Sequence, residues 1–287
     1  MTNTAQQQSH QVVLITGANS GMGLETALLF AQKNYRVYGS VRSIAKGLEL
    51  EKVFAEKGLS MTPVVCDVTR TQDVNDAIRM MVSDAGRLDI LVNNAGYGLV
   101  ASVEEGTDEE FMHQFDVNVF GVLRTCRAVI PFMREQNSGM IINVSSFLGK
   151  MGLPLLTHYN SSKYAVEGIT DSLRYELSPY GIKVHTVAPG LFQTGFVKNG
   201  LKANPSTTSP DSPYAEQANI LLPQVVEKIN QGPSPVEVAK AVLAVAEGDT
   251  QQARVPAGND SVYFDKLSRE LTQEEFELNV KKALSLV

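Results

Sequence analysis

Seven short runs rich in β-branched residues recur along the chain: QVVLIT, RVYGSV, TPVVCDV, DILVNNAG, GMIINVSS, KVHTVAPG and ARVPAG. Most are apolar on both faces, and amphipathic stretches of helix length lie between them. A strand apolar on both faces has to be covered on both, and strands joined through helices run parallel. The pattern predicts a doubly wound α/β fold.

With 287 residues, 43% of them hydrophobic, the chain can bury one large core, and no Pro/Gly/Ser-rich linker splits the strand runs into two groups. We therefore expect a disordered tail over residues 1–10 and a single domain over 11–287. Capping-box spacings mark helix starts at Thr107 with Glu110, Ser234 with Glu237 (Pro235 between them), and Thr272 with Glu275. The last opens a helix over 272–287 with Phe276, Val280 and Leu284 on one face, suited to cover its own subunit or a partner's. Residues 191–235 break the strand-helix rhythm: NPSTTSPDSP and several glycines are mixed with LFQTGF and ANILLPQVVEKI. Such an insertion is expected to be a substrate lid, with Gly195 and Gly200 as hinges.

A net charge of −6 and a pI near 5.3 give no broad basic face for nucleic acid. Cys66 and Cys126 lie in apolar surroundings without a Cys/His cluster and read as buried small hydrophobes, so no metal site is expected. The N-terminal MTNTAQQQSHQ is polar, and no apolar stretch reaches 18 residues, so neither a signal peptide nor a membrane span is expected and the location is read as cytoplasmic.

After the first strand run comes Thr16-Gly17-Ala18-Asn19-Ser20-Gly21-Met22-Gly23, then the helical LETALLFAQK. Glycines between a strand and a helix close the turn, let backbone approach a pyrophosphate and point amide N–H groups at its charge. The segment from Val37 to Leu48 holds no Asp or Glu but does hold Arg42. A carboxylate there would bind ribose hydroxyls, whereas an arginine suits a 2′-phosphate, so NADP(H) is expected over NAD(H).

Tyr159 and Lys163 are spaced to share one helix face, thirteen residues or more beyond Ser146. Alone, the Tyr-Lys spacing is a pattern that chance produces readily. In one order, however, stand the glycine turn, Asn93-Asn94-Ala95-Gly96, Asn118, Ser146, Tyr159-x-x-x-Lys163 and Pro189-Gly190-x-x-x-Thr194. Together these resemble the short-chain dehydrogenase/reductase family from about Gln11 to Thr194. A weaker likeness at Arg254-Val255-Pro256-Ala257-Gly258 resembles the subgroup of 17β-hydroxysteroid and retinol dehydrogenase-like enzymes.

The resemblance implies a Rossmann-type domain of seven parallel strands, NAD(P)-dependent interconversion of carbonyl and alcohol, and a homodimer or homotetramer. It implies Tyr159 as general acid/base, Lys163 beside it with its ammonium lowering the phenol, Ser146 holding the substrate oxygen, and Asn118 holding a water against Lys163. Cofactor contacts are implied for Gly17, Asn19, Ser20, Gly21, Met22, Gly23, Asp67, Val68, Asn94, Ala95, Gly96, Pro189, Gly190 and Thr194, besides Arg42, Tyr159 and Lys163. His158, His185 and the Met80-Met81 pair are assigned no role: His185 reads as a satisfied core histidine and the methionines as core filling. FLGKMGLPLLTH and LFQTGFVKNG, expected to flank the reacting centre, are mainly apolar, so the partner is read as a hydrophobic ketone, aldehyde or alcohol. The alternative is a dinucleotide-binding sensor or scaffold of the same fold without turnover.

Overall fold

The computed structural model describes residues 10–283. Residues 1–9 of the expected tail at 1–10, and Leu284 of the expected C-terminal helix, lie outside the described residues. The strands are β1 Val12–Ile15, β2 Arg36–Val41, β3 Thr62–Val65, β4 Ile90–Asn93, β5 Gly98–Val100, β6 Gly139–Val144, β7 Ile182–Pro189, β8 Leu201–Ala203 and β9 Arg254–Ala257. Between and after them run helices α1 Gly21–Gln32, α2 Ile44–Ala55, α3 Thr71–Ala85, α4 Asp108–Phe115, α5 Gly121–Glu135, α6 Thr157–Leu177, α7 Phe196–Asn199, α8 Ala215–Asn230, α9 Val236–Glu247, α10 Asn259–Glu270 and α11 Gln273–Ala283.

Seven strands form one parallel sheet in the order β3-β2-β1-β4-β6-β7-β9, and each of the seven apolar runs supplies one of them. Pro63, which has no N–H to give, sits in β3 at the sheet edge, where only β2 is paired. Residues of α3, α5 and α6, among them Val74, Val122 and Val166, pack on one face of the sheet. Residues of α1, α2 and α9, among them Ala27, Leu50 and Val238, pack on the other. The chain builds outward from β1 to β3 and then returns to place β4 on β1's other side. That reversal leaves a crevice beyond the carboxyl ends of β1 and β4, where open parallel sheets bind ligands.

Polar side chains fix the helices over this crevice. The buried Asn93 accepts from Thr125 of α5 at 2.6 Å and donates to Asn143 of β6 at 2.9 Å, and Asn143 donates to Thr170 of α6 at 2.9 Å. Cys66 and Cys126 are free and buried, as expected. Met81 is core, but Met80 is exposed: adjacent positions on α3 point about 100° apart, so core filling holds for one methionine and not for the pair.

The capping boxes at Thr107/Glu110 and Thr272/Glu275 form. At Ser234 only half forms: its hydroxyl accepts from the Val236 amide, while Glu237 turns away to pair with Lys240. Phe276 and Val280 of α11 are buried against their own subunit, in a third apolar cluster with Phe147, Leu148, Leu221 and Phe264. Among the described residues no helix is long and apolar enough to cross a membrane.

Candidate active site

The glycine turn places backbone where a side chain cannot go. Gly17 takes φ +64° and Gly21 φ +54°, and a Cβ on Gly23 would collide with the Gly17 carbonyl and the Asn94 amide. Asn94 closes the turn, donating to the Thr16 carbonyl at 2.9 Å and the Gly17 carbonyl at 3.2 Å, while the Thr16 hydroxyl accepts the Asn94 and Ala95 amides. Helix α1 then starts at Gly21, with no capping hydrogen bond from the side chain of its N-cap residue Ser20 and no acidic residue in its first turn. Its amide N–H groups and positive end face the crevice, a donor set that fits a pyrophosphate. Asn19 and Ser20 are exposed on the same turn and Met22 lines the adjoining cavity.

Arg42, exposed just past β2, makes no ion pair within 4 Å among the described residues, and its charge helps lower the Asp67 carboxyl. Burial pushes that carboxyl up, but the Thr69 amide and hydroxyl, at 2.9 and 2.7 Å, with Arg42 and Arg70, hold it below the usual range. Val68 is buried against Gly121, and its carbonyl accepts from Arg124. Across the crevice, Thr194 faces Gly21, and Pro189 and Gly190 end β7.

Beside this cradle, Ser146 and Tyr159 meet in the wall of a largely apolar cavity. Ser146 follows β6 in extended backbone and its hydroxyl accepts the Leu148 amide at 3.1 Å. Tyr159 lies in the first turn of α6, and Lys163 one turn on donates to the Val144 carbonyl at 3.0 Å, joining helix to strand end. Burial pushes the Tyr159 phenol up to about 12, against a lowering by the Ser146 hydroxyl. Burial also pulls the Lys163 ammonium down to about 8, against an opposing pull from Glu167. A phenol lowered by Lys163 was expected. In the structure desolvation dominates, and the ammonium is spent on a backbone carbonyl, with its nitrogen 5.8 Å from the centre of the tyrosine ring.

Asn118 lies in a π-helical turn, Asp116–Phe120, between α4 and α5. Its side chain accepts the Tyr97 amide at 3.1 Å and donates to the Tyr97 carbonyl and to Ser162 at 2.9 and 3.0 Å. Its oxygen and the Lys163 nitrogen both face Gly96. Asn118 thus pins the chain after β4 to helix α6, beside Lys163. Of the residues set aside, His185 is satisfied by the Gln252 carbonyl at 2.9 Å. His158 is buried edge-on to Phe111, with burial lowering its pKa.

Residues 191–235 wall the cavity. Phe196 of α7, Leu201 of β8 and Leu221, Leu222, Val225 and Ile229 of α8 face Ser146 and Tyr159 across it, and among the described residues no charged side chain lines it. Strand β8 pairs in parallel with β5, and the Gly98 amide donates to the Gly200 carbonyl at 2.7 Å. Gly195 and Gly200 have φ of −67° and −119°, angles open to any residue, so neither is a glycine for its backbone freedom. The NPSTTSPDSP stretch is folded: Asn204 and Thr207 are buried, Asn204 donates to Glu110, Thr207 accepts the Ser102 amide, and Ser212 donates to Glu105. Sequence reasoning missed this latch, and it missed Asp260, which accepts the Leu191 amide at 2.6 Å and fills the space beside Gly190. Polar residues in an irregular stretch gave no sign of what they would meet.

Residues 11–204 match the family described as short chain dehydrogenase. The chain belongs to that family. It is 35% identical over 248 residues to a 3-ketodihydrosphingosine reductase of Bacteroides thetaiotaomicron, covering 86% of this chain and 88% of the relative. It is 34% identical over 251 residues to the uncharacterised oxidoreductase YusZ of Bacillus subtilis, covering 86% and 89%. A short-chain dehydrogenase structure from Streptomyces avermitilis superposes with a TM-score of 0.80 at 31% identity, covering 97% of this chain and 98% of that one. The structure of ElxO with NADP bound superposes at 0.73 and 27% identity, covering 88% and 99%. As a short-chain dehydrogenase the protein is an NAD(P)-dependent oxidoreductase that interconverts a carbonyl and an alcohol on a small molecule.

Proposed function

We propose that this short-chain dehydrogenase reduces an uncharged, hydrophobic ketone or aldehyde with NADPH, Tyr159 serving as the acid. The observation that carries this reading is the cavity: among the described residues its hydroxyl-bearing wall residues are Ser145, Ser146, Tyr159 and Thr194, and the rest of its lining is almost wholly apolar. Such a wall selects shape and apolar surface and offers a carboxylate or phosphate no partner. The 3-ketodihydrosphingosine reductase among its relatives supports a ketone as the class.

When bound, the nicotinamide supplies the hydride. The residues that would hold its dinucleotide are the amides of Gly17 to Gly23, Asp67 and Val68, Asn94 to Gly96, and Pro189, Gly190 and Thr194. An exposed Arg42 with no ion pair within 4 Å among the described residues, and no acidic residue from Val37 to Leu48, supports a 2′-phosphate and hence NADPH. Among the structural relatives, ElxO carries NADP.

The chain's own chemistry lies at the substrate oxygen. Ser146 donates a hydrogen bond to it and fixes its position. Tyr159, a phenol that is neutral at pH 7 and that burial pushes further from ionising, holds the proton that the oxygen takes as it becomes an alcohol. Lys163 and Glu167 sit behind the phenol with opposite charges, and a positive charge there favours the phenolate left behind. The lid at 191–235 keeps water away from the exchange. Exposed Phe120, Tyr164 and Tyr175 on and beside α5 and α6 support assembly as a homodimer or homotetramer, which sedimentation velocity tests.

Tyr159→Phe tests the reading. In a panel of apolar ketones and aldehydes followed by NADPH absorbance, the variant is expected to lose about 10²- to 10⁴-fold in kcat while its NADPH Kd stays within about threefold. Retained turnover sinks the proposal.

A further inference from the structure

Behind Ser146 stands an ion network that the chemistry above does not use. Arg254, at the start of β9, is nearly buried. Its Nε donates to Glu167 Oε1 at 3.1 Å, its Nη1 pairs with Asp265 of α10, and its Nη2 donates to the Ser146 backbone carbonyl at 3.2 Å. Asp265 also pairs with the exposed Arg269. Glu167, only 4% exposed, is one helical turn beyond Lys163 and two beyond Tyr159 on α6. Its side chain passes against Gly149 of the turn that follows Ser146: a Cβ on Gly149 would stand 2.9 Å from Glu167 Cγ and 2.7 Å from Ser145 Oγ.

One planar guanidinium thus touches both pieces of the reacting pair's scaffold, the strand end that carries Ser146 and the helix that carries Tyr159 and Lys163. Resting on the assignment of Ser146 and Tyr159 above, we propose that Arg254 is a positioning residue that sets the spacing between the Ser146 hydroxyl and the Tyr159 phenol.

Arginine suits this task and lysine does not. The contacts to Glu167, Ser146 and Asp265 leave in different directions from one rigid plane, which three donors on a single ammonium at the end of a flexible stem cannot reproduce. The other polar ties near this strand end, Lys163 to Val144, Asn143 to Thr170 and the Ser145 amide to the Val187 carbonyl, hold it one to three residues earlier, and none of them engages the Ser146 carbonyl. Ser146's carbonyl has one further partner, the Gly149 amide at 3.0 Å, which lies within the same turn and moves with it. Arg254 is the side chain that joins the Ser146 carbonyl itself to α6 and α10. A buried ion pair adds little net stability on average, so a role in geometry accounts for it better than a role in folding energy alone.

The test compares Arg254→Met, Arg254→Lys and, as a control for stability, Leu177→Ala in the core at the far end of α6. Each is assayed with NADPH and the best carbonyl substrate of the panel, alongside the thermal midpoint and NADPH Kd. Arg254→Met is expected to lose about 10- to 100-fold in kcat, the scale on which a displacement of about 1 Å is felt, with KM and NADPH Kd within about threefold. Arg254→Lys should fall between it and the parent. Leu177→Ala should lower the thermal midpoint and leave kcat unchanged.

A kcat for Arg254→Met within about threefold of the parent overturns the proposal. So does a loss carried by KM or Kd, or an equal loss in Leu177→Ala. If Arg254→Met does not fold, Arg254→Lys decides: a kcat down about fivefold or more with unchanged Kd supports positioning, and a parental kcat refutes it. Failure of the underlying reading is distinguishable, because then Tyr159→Phe retains turnover, or the parent protein shows no carbonyl reduction at all.

Discussion

The two halves of the active-site crevice are built by different means. On the cofactor side, β1, the glycine turn and α1 form a cradle of backbone: positive φ at Gly17 and Gly21, a Cβ-free approach at Gly23, and Asn94 holding the turn shut. On the substrate side, side-chain volume from α7, β8 and α8 makes the wall, and it is held in place by the β5–β8 ladder and the Asn204 latch. A backbone site tolerates almost no substitution at its contacts. A side-chain wall can change its lining while the fold stays put. The first half should fail abruptly when altered, and the second should retune.

The largest expected effect breaks the cofactor side. Gly23→Ala forces a methyl group into the Gly17 carbonyl and Asn94, and we expect NADPH affinity by calorimetry to fall by about 100-fold or more, with a lowered thermal midpoint. Unchanged affinity would show that the cradle yields more readily than its contacts suggest.

At the seam between the halves, Lys163 has a folded-state pKa of about 8 against an ordinary 10.5. Below pH 8 it is charged in both states and its burial penalty is fully present. As pH rises from 8 to 10.5 the folded protein sheds the proton first and the penalty is relieved. Relative to Lys163→Met, the parent should therefore gain stability between pH 7 and 10.5, by at most about 3 kcal/mol. Paired denaturation curves at the two pH values check it, and a constant difference would mean that Lys163 keeps its ordinary pKa.

Two smaller effects sharpen the contrast. Arg42→Ala should weaken NADPH about tenfold and leave NADH unchanged, the expected cost of one charge-assisted bond to a phosphate. Equal losses for both cofactors would remove Arg42 from its role. Leu222→Ala, in the substrate wall, should raise KM about five- to tenfold for the bulkiest apolar ketone, with NADPH Kd unchanged. If it weakens NADPH instead, the two halves are not separable.

The same contrast explains what could be read from the sequence. The inner strands of the large sheet announce themselves, because a strand buried on both faces has to be apolar throughout, whereas the edge strands β3 and β9 are only partly buried; the glycine turn is legible because backbone constraint leaves a residue type at a fixed place. The meeting of Ser146 and Tyr159 follows from strand and helix placement alone. The upward push on the Tyr159 phenol does not, since desolvation depends on everything packed around it. Nor does the Arg254 network, whose members come from β9, α6 and α10 and meet only in three dimensions. The latch at Asn204 and Thr207 lay in a stretch whose composition looks like open loop. Burial of polar side chains there depends on partners about a hundred residues away.

The π-helical turn at Asp116–Phe120 carries a consequence for how this chain can vary over generations. It holds one residue more than an α-helical turn between the same ends, and that surplus residue aims Asn118 at Tyr97 and Ser162. Deleting a single residue between Phe111 and Val117 would restore ordinary winding and swing Asn118 by about 100° relative to α4, away from both partners. Many substitutions in this segment should pass, but a one-codon deletion should not. Its length is inherited more strictly than its composition.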